Sequence, residues 1–194
     1  MGKRLIRIGI IALLCFVILS YVKNAHAAVD STLHFTAPVI GSTKKLAFPT
    51  AATASSKATV LVFLSAKCPC SAGHEATLKT LYEKFSPQGI EFIAVHANQD
   101  ESAEMTDAHF KTAGLPFAVV QDTGAKIADE LKALKTPHAY ILKKGEVVFQ
   151  GGVDDSADPT TAKKHFLEDA LNSIVENKPI AVAKARALGC VIKR

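Results

Sequence analysis

Three sulfurs are the residues whose type and spacing imply chemistry most directly. Cys68 and Cys70 lie in the run Cys68-Pro69-Cys70-Ser71, and Cys190 lies in the final stretch, 179–194. Thiols exchange with disulfides, and thiolates bind soft metals. The run falls between two readable elements. Ala58 to Ser65 is a β-branched and aromatic segment that reads as a buried strand; from Ala72 to Phe85, Leu78, Leu81, Tyr82 and Phe85 recur at helical spacing. Cys68 therefore falls at a helix start, where unpaired backbone N–H groups and the positive end of the dipole favour a thiolate. Pro69 is tolerated there because its missing N–H has no helical partner. The expectation is a nucleophilic Cys68 of lowered pKa, in reach of solvent. The bland alternative, two loop cysteines with a packing role, leaves the helix start unexplained.

A metal reading uses the same atoms. Cys70 and His74 are one helical turn apart, so both side chains can face one point. Cys68 adds a second thiolate, and His138 is a more distant candidate. Sulfur with imidazole suits copper(I) or zinc, whereas the thiol reading needs no metal or organic cofactor.

The elements that must position these residues follow the chain. Short strands are expected near Leu33 to Phe35 and Leu46 to Phe48, within an Ala-, Thr- and Ser-rich lead-in, 28–57. After the first helix come a strand from Ile90 to Val95, a helix from Glu101 to Ala113 stopped by Gly114, and a strand from Phe117 to Val120. A short helix follows from Lys126 to Leu134. His138 to Leu142 and Val147 to Gln150 flank Lys143-Lys144-Gly145, a hairpin signal. The last helix spans Thr160 to Glu176. This order predicts an α/β fold: a central mixed sheet of parallel strands plus a C-terminal antiparallel hairpin, with helices on both faces. The hairpin after a turn proline narrows it to a thioredoxin-like arrangement over 58–178.

Residues 1–27 read as a targeting segment, with Lys3, Arg4 and Arg7, an uncharged run 8–22, and Ala25-His26-Ala27 as a cleavage site. The run is shorter than the roughly 20 residues of a membrane span; retained, it is a tether. The expected location is outside the cytosol, in a periplasm-type compartment, where thiols oxidise. The formal charge of +5 falls to +1 without this segment, which leaves 19 basic residues against 18 acidic ones. That balance gives no support to a nucleic-acid surface. The small excess sits in the basic tail 179–194, read as a solvated, mobile arm carrying Lys184, Arg186, Cys190, Lys193 and Arg194. Gly151 to Pro159 lacks the spacing of a calcium loop and is read as a solvated loop. His96, His109 and His165 show no partner pattern, and His74 is read as an exposed helix residue.

The stretch Phe63-Leu64-Ser65-Ala66-Lys67-Cys68-Pro69-Cys70-Ser71 resembles the redoxin branch of the thioredoxin superfamily, which includes peroxiredoxins and extracytoplasmic thiol-disulfide proteins. Thr136-Pro137 with His138-Ala139-Tyr140-Ile141-Leu142 resembles the cis-proline loop and following strand. Gly189-Cys190-Val191-Ile192-Lys193-Arg194 resembles a tail of peroxiredoxin-like members. The resemblance covers 55–194. It implies thiol-disulfide exchange with a protein dithiol or disulfide partner, or with small thiols. It also implies that Pro69, Thr136 and Pro137 line the docking site.

Two departures limit what carries over. The usual motif is C-x-x-C, but here the fourth position is Ser71. A Cys68–Cys70 disulfide closes a small, strained ring; a Cys68–Cys190 disulfide makes the tail sulfur the resolving one. Both remain open from sequence. Peroxiredoxins also use a Pro, where Leu61 stands, and an Arg beside the thiolate. Ser65 fits their hydroxyl position, but 28–185 contains no arginine. Lysine replaces that planar donor poorly, so peroxide reduction is the weaker reading. Sco-type copper chaperones share the fold, with wider cysteine spacing than here.

Overall fold

The computed structural model describes residues 33–194. The leader expected over 1–27, with its uncharged run 8–22, lies outside the described residues. The lead-in forms a hairpin of β1 (Phe35–Pro38) and β2 (Lys45–Phe48), closed by stacking of Phe35 on Phe48, and the short helix α1 (Ala51–Ser55). Thr50 caps α1 by accepting from Thr53 N.

The sheet is built from β3 (Ala58–Leu64), β4 (Ile90–His96), β5 (Val119–Gln121), β7 (His138–Lys143) and β8 (Glu146–Gly151), in the order β5-β4-β3-β7-β8. β3, β4 and β5 run parallel; β7 is antiparallel to β3, and β8 to β7. The expected mixed sheet is present. Every residue of β3 is buried, as a central strand covered on both faces requires. Alternate residues serve two cores. Val60, Val62 and Leu64 pack with Leu78, Leu81 and Phe85 of α2 (Pro69–Phe85) and with Leu167, Leu171 and Ile174 of α5 (Phe166–Val175). Leu61 and Phe63 pack on the other face with Phe48, with Ile127 and Ala128 of α4 (Lys126–Glu130), and with Ile192.

Several boundaries differ from expectation, each for a local reason. α2 begins at Pro69 rather than Ala72, with Pro69 in its first turn. α3 (Ala103–Ala113) begins after Glu101 because Ser102 takes the cap, accepting from Met105 N, while Glu101 turns inward. α4 stops at Glu130, short of Leu134, and Lys132 beyond it has a left-handed φ of 55°. The last helix starts at Phe166, not Thr160. The Asp155 carboxylate takes the Lys163 and Lys164 N–H groups and holds that stretch out of a helix.

The largest difference is the tail. Its backbone is docked on the fold, while the side chains of Lys184, Arg186, Lys193 and Arg194 stay exposed as expected. Gln150 N donates to Ala183 O and Ala185 N donates to Gln150 O, both at 2.9 Å, along the edge of β8. Farther on, β9 (Cys190–Val191) pairs antiparallel with β6 (Lys135–Thr136), just before Pro137. Arg194 closes the chain on Asp129 and on the Ala133 carbonyl.

Candidate functional site

The site is built where β3 ends, α2 starts and β6 meets β9. Cys68 is the N-cap of α2, with extended backbone and no side-chain capping bond, so its sulfur is free for other partners. Pro69 follows in the first turn and the Cys68 carbonyl accepts from Ala72 N at 3.1 Å. The Ser71 hydroxyl, fully buried, accepts from Ser65 N at 3.2 Å and ties the turn back to the strand end. Thr136-Pro137 is a cis peptide, as the resemblance implied. It lies against the cysteines: as a thiol, Cys68 Sγ donates to the Thr136 carbonyl at 3.0 Å. The Thr136–Cys190 pairing of β6 and β9 then brings in the third sulfur. The Sγ atoms of Cys68, Cys70 and Cys190 all lie within 4.8 Å of one another, and none is in a disulfide.

Electrostatics separates the three. Burial pushes the Cys68 thiol up. Hydrogen bonds from the Cys190 side chain, the Thr136 hydroxyl and the Ser71 and Cys190 N–H groups outweigh that and bring it down to about 7. Burial and then hydrogen bonding and charge at Cys68 push Cys190 up to about 12. Cys70 also rises, from burial and then the charge on Cys68. The trio therefore gives up its first proton at Cys68. A thiol of ordinary pKa near 8.5 is only a few per cent ionised at pH 7, whereas one at about 7 is roughly half ionised.

The expectation of a solvent-reached sulfur is corrected. Cys68 is 2% exposed, because the tail strand lies against it, while Cys70 and Cys190 are half-buried. The histidines are corrected too. His74 is 1% exposed; its Nδ1 donates to the Cys70 carbonyl at 2.6 Å, and its Nε2 faces Asp154 Oδ2 at 3.1 Å. Asp154, read as part of a solvated loop, is buried by that pairing. His138 is buried and meets Tyr140 OH at 3.3 Å; burial holds it down at about 4. Among the described residues, the one group of three metal-ligating side chains is Cys68, Cys70 and Cys190, without a histidine.

A buried polar network beneath the site escaped sequence reasoning. Ser65 Oγ and Asn98 Nδ2 donate to Glu101 Oε1; Ala66 N donates to Oε2 at 2.8 Å, and His96 Nε2 lies 3.0 Å from the same atom. Burial pushes the Glu101 carboxyl up, but the bonds from Ser65, His96 and Ala66 hold it below the usual range. It clamps the two residues that lead into Lys67-Cys68. His96, expected to lack a partner, sits at the centre, with Gln121 on its other nitrogen. His109 likewise pairs with Glu75 at 2.7 Å. No sequence signal joins Glu101 to Ser65 across 36 positions. Arg194 of the tail is engaged with Asp129, and no arginine is among the groups acting on Cys68.

This sheet order, with a cis proline against the first turn of the helix that follows the central strand, defines a thioredoxin-like fold. Solved structures agree. An uncharacterized conserved protein from Geobacillus kaustophilus is similar at 24% identity, with a TM-score of 0.75 over 84% of this chain and 89% of its own. A hypothetical protein from Sinorhizobium meliloti gives 23%, 0.72, 84% and 91%. A secreted Mycobacterium tuberculosis disulfide oxidoreductase gives 17%, 0.55, 77% and 99%. No curated protein matches. The chain belongs to the family described as a domain of unknown function, DUF6436, whose model matches residues 38–193.

Proposed function

We propose that the protein is an exported, redoxin-type thiol-disulfide oxidoreductase acting on protein or small-thiol partners. The observation that carries this reading is one ionisable sulfur at a helix start, held at about 7, with two protonated sulfurs within 4.8 Å. Cys68 as thiolate attacks a partner disulfide. A Cys68–partner S–S bond forms, the partner's S–S bond breaks, and one partner thiolate leaves with the electron pair. Cys190, once deprotonated, attacks the Cys68 sulfur. This forms the Cys68–Cys190 disulfide and releases the second partner thiolate. The partner gains two electrons and this protein loses two; a separate dithiol protein restores them. Thr136 and Pro137 hold the partner and Pro69 shapes the turn beside it. Export follows from the leader-like 1–27 and accords with the secreted relative. In insulin reduction coupled to a dithiol, Cys68→Ser abolishes turnover while circular dichroism is unchanged; full activity in that variant rejects the reading.

The three-sulfur cluster favours a second reading, a soft-metal carrier. Three thiolates suit trigonal copper(I), with Cys190 in the place sequence gave to His74 or His138. Reduced protein then retains about one copper(I) per chain, as the ligand set requires, against a weak chelator. Loss of all metal disposes of it.

A further inference from the structure

The end of the tail carries more than a cysteine. Its backbone is paired with β6, Thr136 opposite Cys190 and Lys135 opposite Val191. Ile192 N then donates to Leu134 O at 3.1 Å, and Gln99 N to Lys193 O at 2.8 Å. Gly189 lies so close to the loop that a Cβ there meets the Thr136 carbonyl oxygen at 2.1 Å. Ile192, two residues past the cysteine, is 3% exposed and belongs to the second core. Together these contacts form a template. It has a backbone edge for an extended strand and a floor with no room for a side chain. Beside Cys68 it places a sulfur, and two residues on it has an aliphatic pocket.

We propose that the tail fills this edge of β6, beside the Thr136-Pro137 docking position, as an internal stand-in for a partner polypeptide. The partner it fits is an extended strand reading glycine, cysteine, any residue, aliphatic. The inference rests on the thiol-exchange reading above. One backbone edge pairs with one strand, so a partner enters by displacing Gly189 to Arg194. Cys68 then takes the partner's cysteine sulfur into a mixed disulfide, and that sulfur's former disulfide partner leaves as a thiolate. Return of the tail brings Cys190 onto Cys68 and expels the partner thiolate, so one movement both clears the edge and completes the exchange. A small disulfide has no need of β6.

The test uses the full chain with Cys70→Ser and Cys190→Ser, with and without Gly189→Ala, which drives the tail off the Thr136 carbonyl. The probes are the octapeptide of residues 187–194 carrying its cysteine as a pyridyl disulfide, the same peptide with alanine for its glycine, and 2-hydroxyethyl disulfide. The readouts are release of thiopyridone for the peptides and mass-detected modification of Cys68 for the small disulfide. Gly189→Ala speeds the glycine peptide about tenfold more than it speeds the small disulfide, because clearing the tail uncovers Cys68 for both probes but opens β6 for the peptide alone. The alanine peptide reacts about tenfold slower than the glycine peptide. Equal glycine-peptide rates in the two proteins overturn the tail as occupant, and equal rates for the two peptides overturn the glycine requirement. Failure of 2-hydroxyethyl disulfide to modify Cys68 even in the Gly189→Ala protein, where the tail no longer covers that sulfur, strikes instead at the thiol-exchange reading. Should Gly189→Ala lose its circular dichroism, Ile192→Asp releases the same strand and the same comparisons apply.

Discussion

The two halves of the site are held in opposite ways. Cys68 sits on the junction of a fully buried seven-residue strand and a seventeen-residue helix, with Glu101 and Ser71 fixing the turn between them. Cys190 sits on a two-residue strand, anchored by one buried isoleucine, a few backbone bonds and the exposed Arg194 on Asp129 and the Ala133 carbonyl. On the proposed reading, the firmly held Cys68 is the nucleophile and the less anchored Cys190 is the sulfur that detaches. Exchange needs that division: the attacking group must hold its electrostatics, while the second sulfur must leave to admit a partner and return to expel it.

Substitutions that break this contrast should differ in size and in kind. Removing the nucleophile is the largest: Cys68→Ser takes insulin reduction to the level of a cysteine-free control. Cys190→Ser leaves the first step intact and stops the second, so the partner accumulates as a mixed disulfide on Cys68, visible by intact mass. Ile192→Ala leaves a cavity worth about 2–4 kcal/mol, more than a two-residue strand can spare. Hydrogen exchange at Cys190 and Ile192 should accelerate strongly while β3 amides stay protected. Glu101→Gln weakens charge-assisted bonds worth about 1–3 kcal/mol on the rigid half. The Glu101 carboxyl is depressed in the folded state, so its stabilisation is fully present above its unfolded pKa and is lost as pH falls through the folded one. The variant should unfold more readily at neutral pH and show a flatter acid limb. The smallest effect is a titration. The alkylation rate of Cys68 rises with pH about a midpoint near 7, and Cys190→Ala moves that midpoint up by removing a hydrogen bond to the thiolate.

The same contrast decides what was legible in the residues. The β-branched run Ala58 to Leu64, the helical spacing of Leu78, Leu81 and Phe85, and Thr136-Pro137 are local patterns, and they gave the sheet, the helix and the loop. Cys68 at the helix start was legible for the same reason. Its burial was not, because it depends on residues 122 positions later pairing with Thr136, and a basic stretch with little periodicity carries no signal for that. Gly189-Cys190 was visible as a motif, but its fit to the Thr136 carbonyl was not. Glu101 looked like a first-turn helix residue. His74 looked exposed because Asp154, which pairs with it, lies 80 positions later in the chain.

Disulfide mapping of the oxidised protein by mass spectrometry tests the central claim most directly. The account predicts that the peptide bearing Cys190 is joined to the one bearing Cys68 and Cys70, that the bond is lost in Cys68→Ser, and that Cys70 stays free for alkylation. A Cys68–Cys70 link with Cys190 alkylated would contradict it.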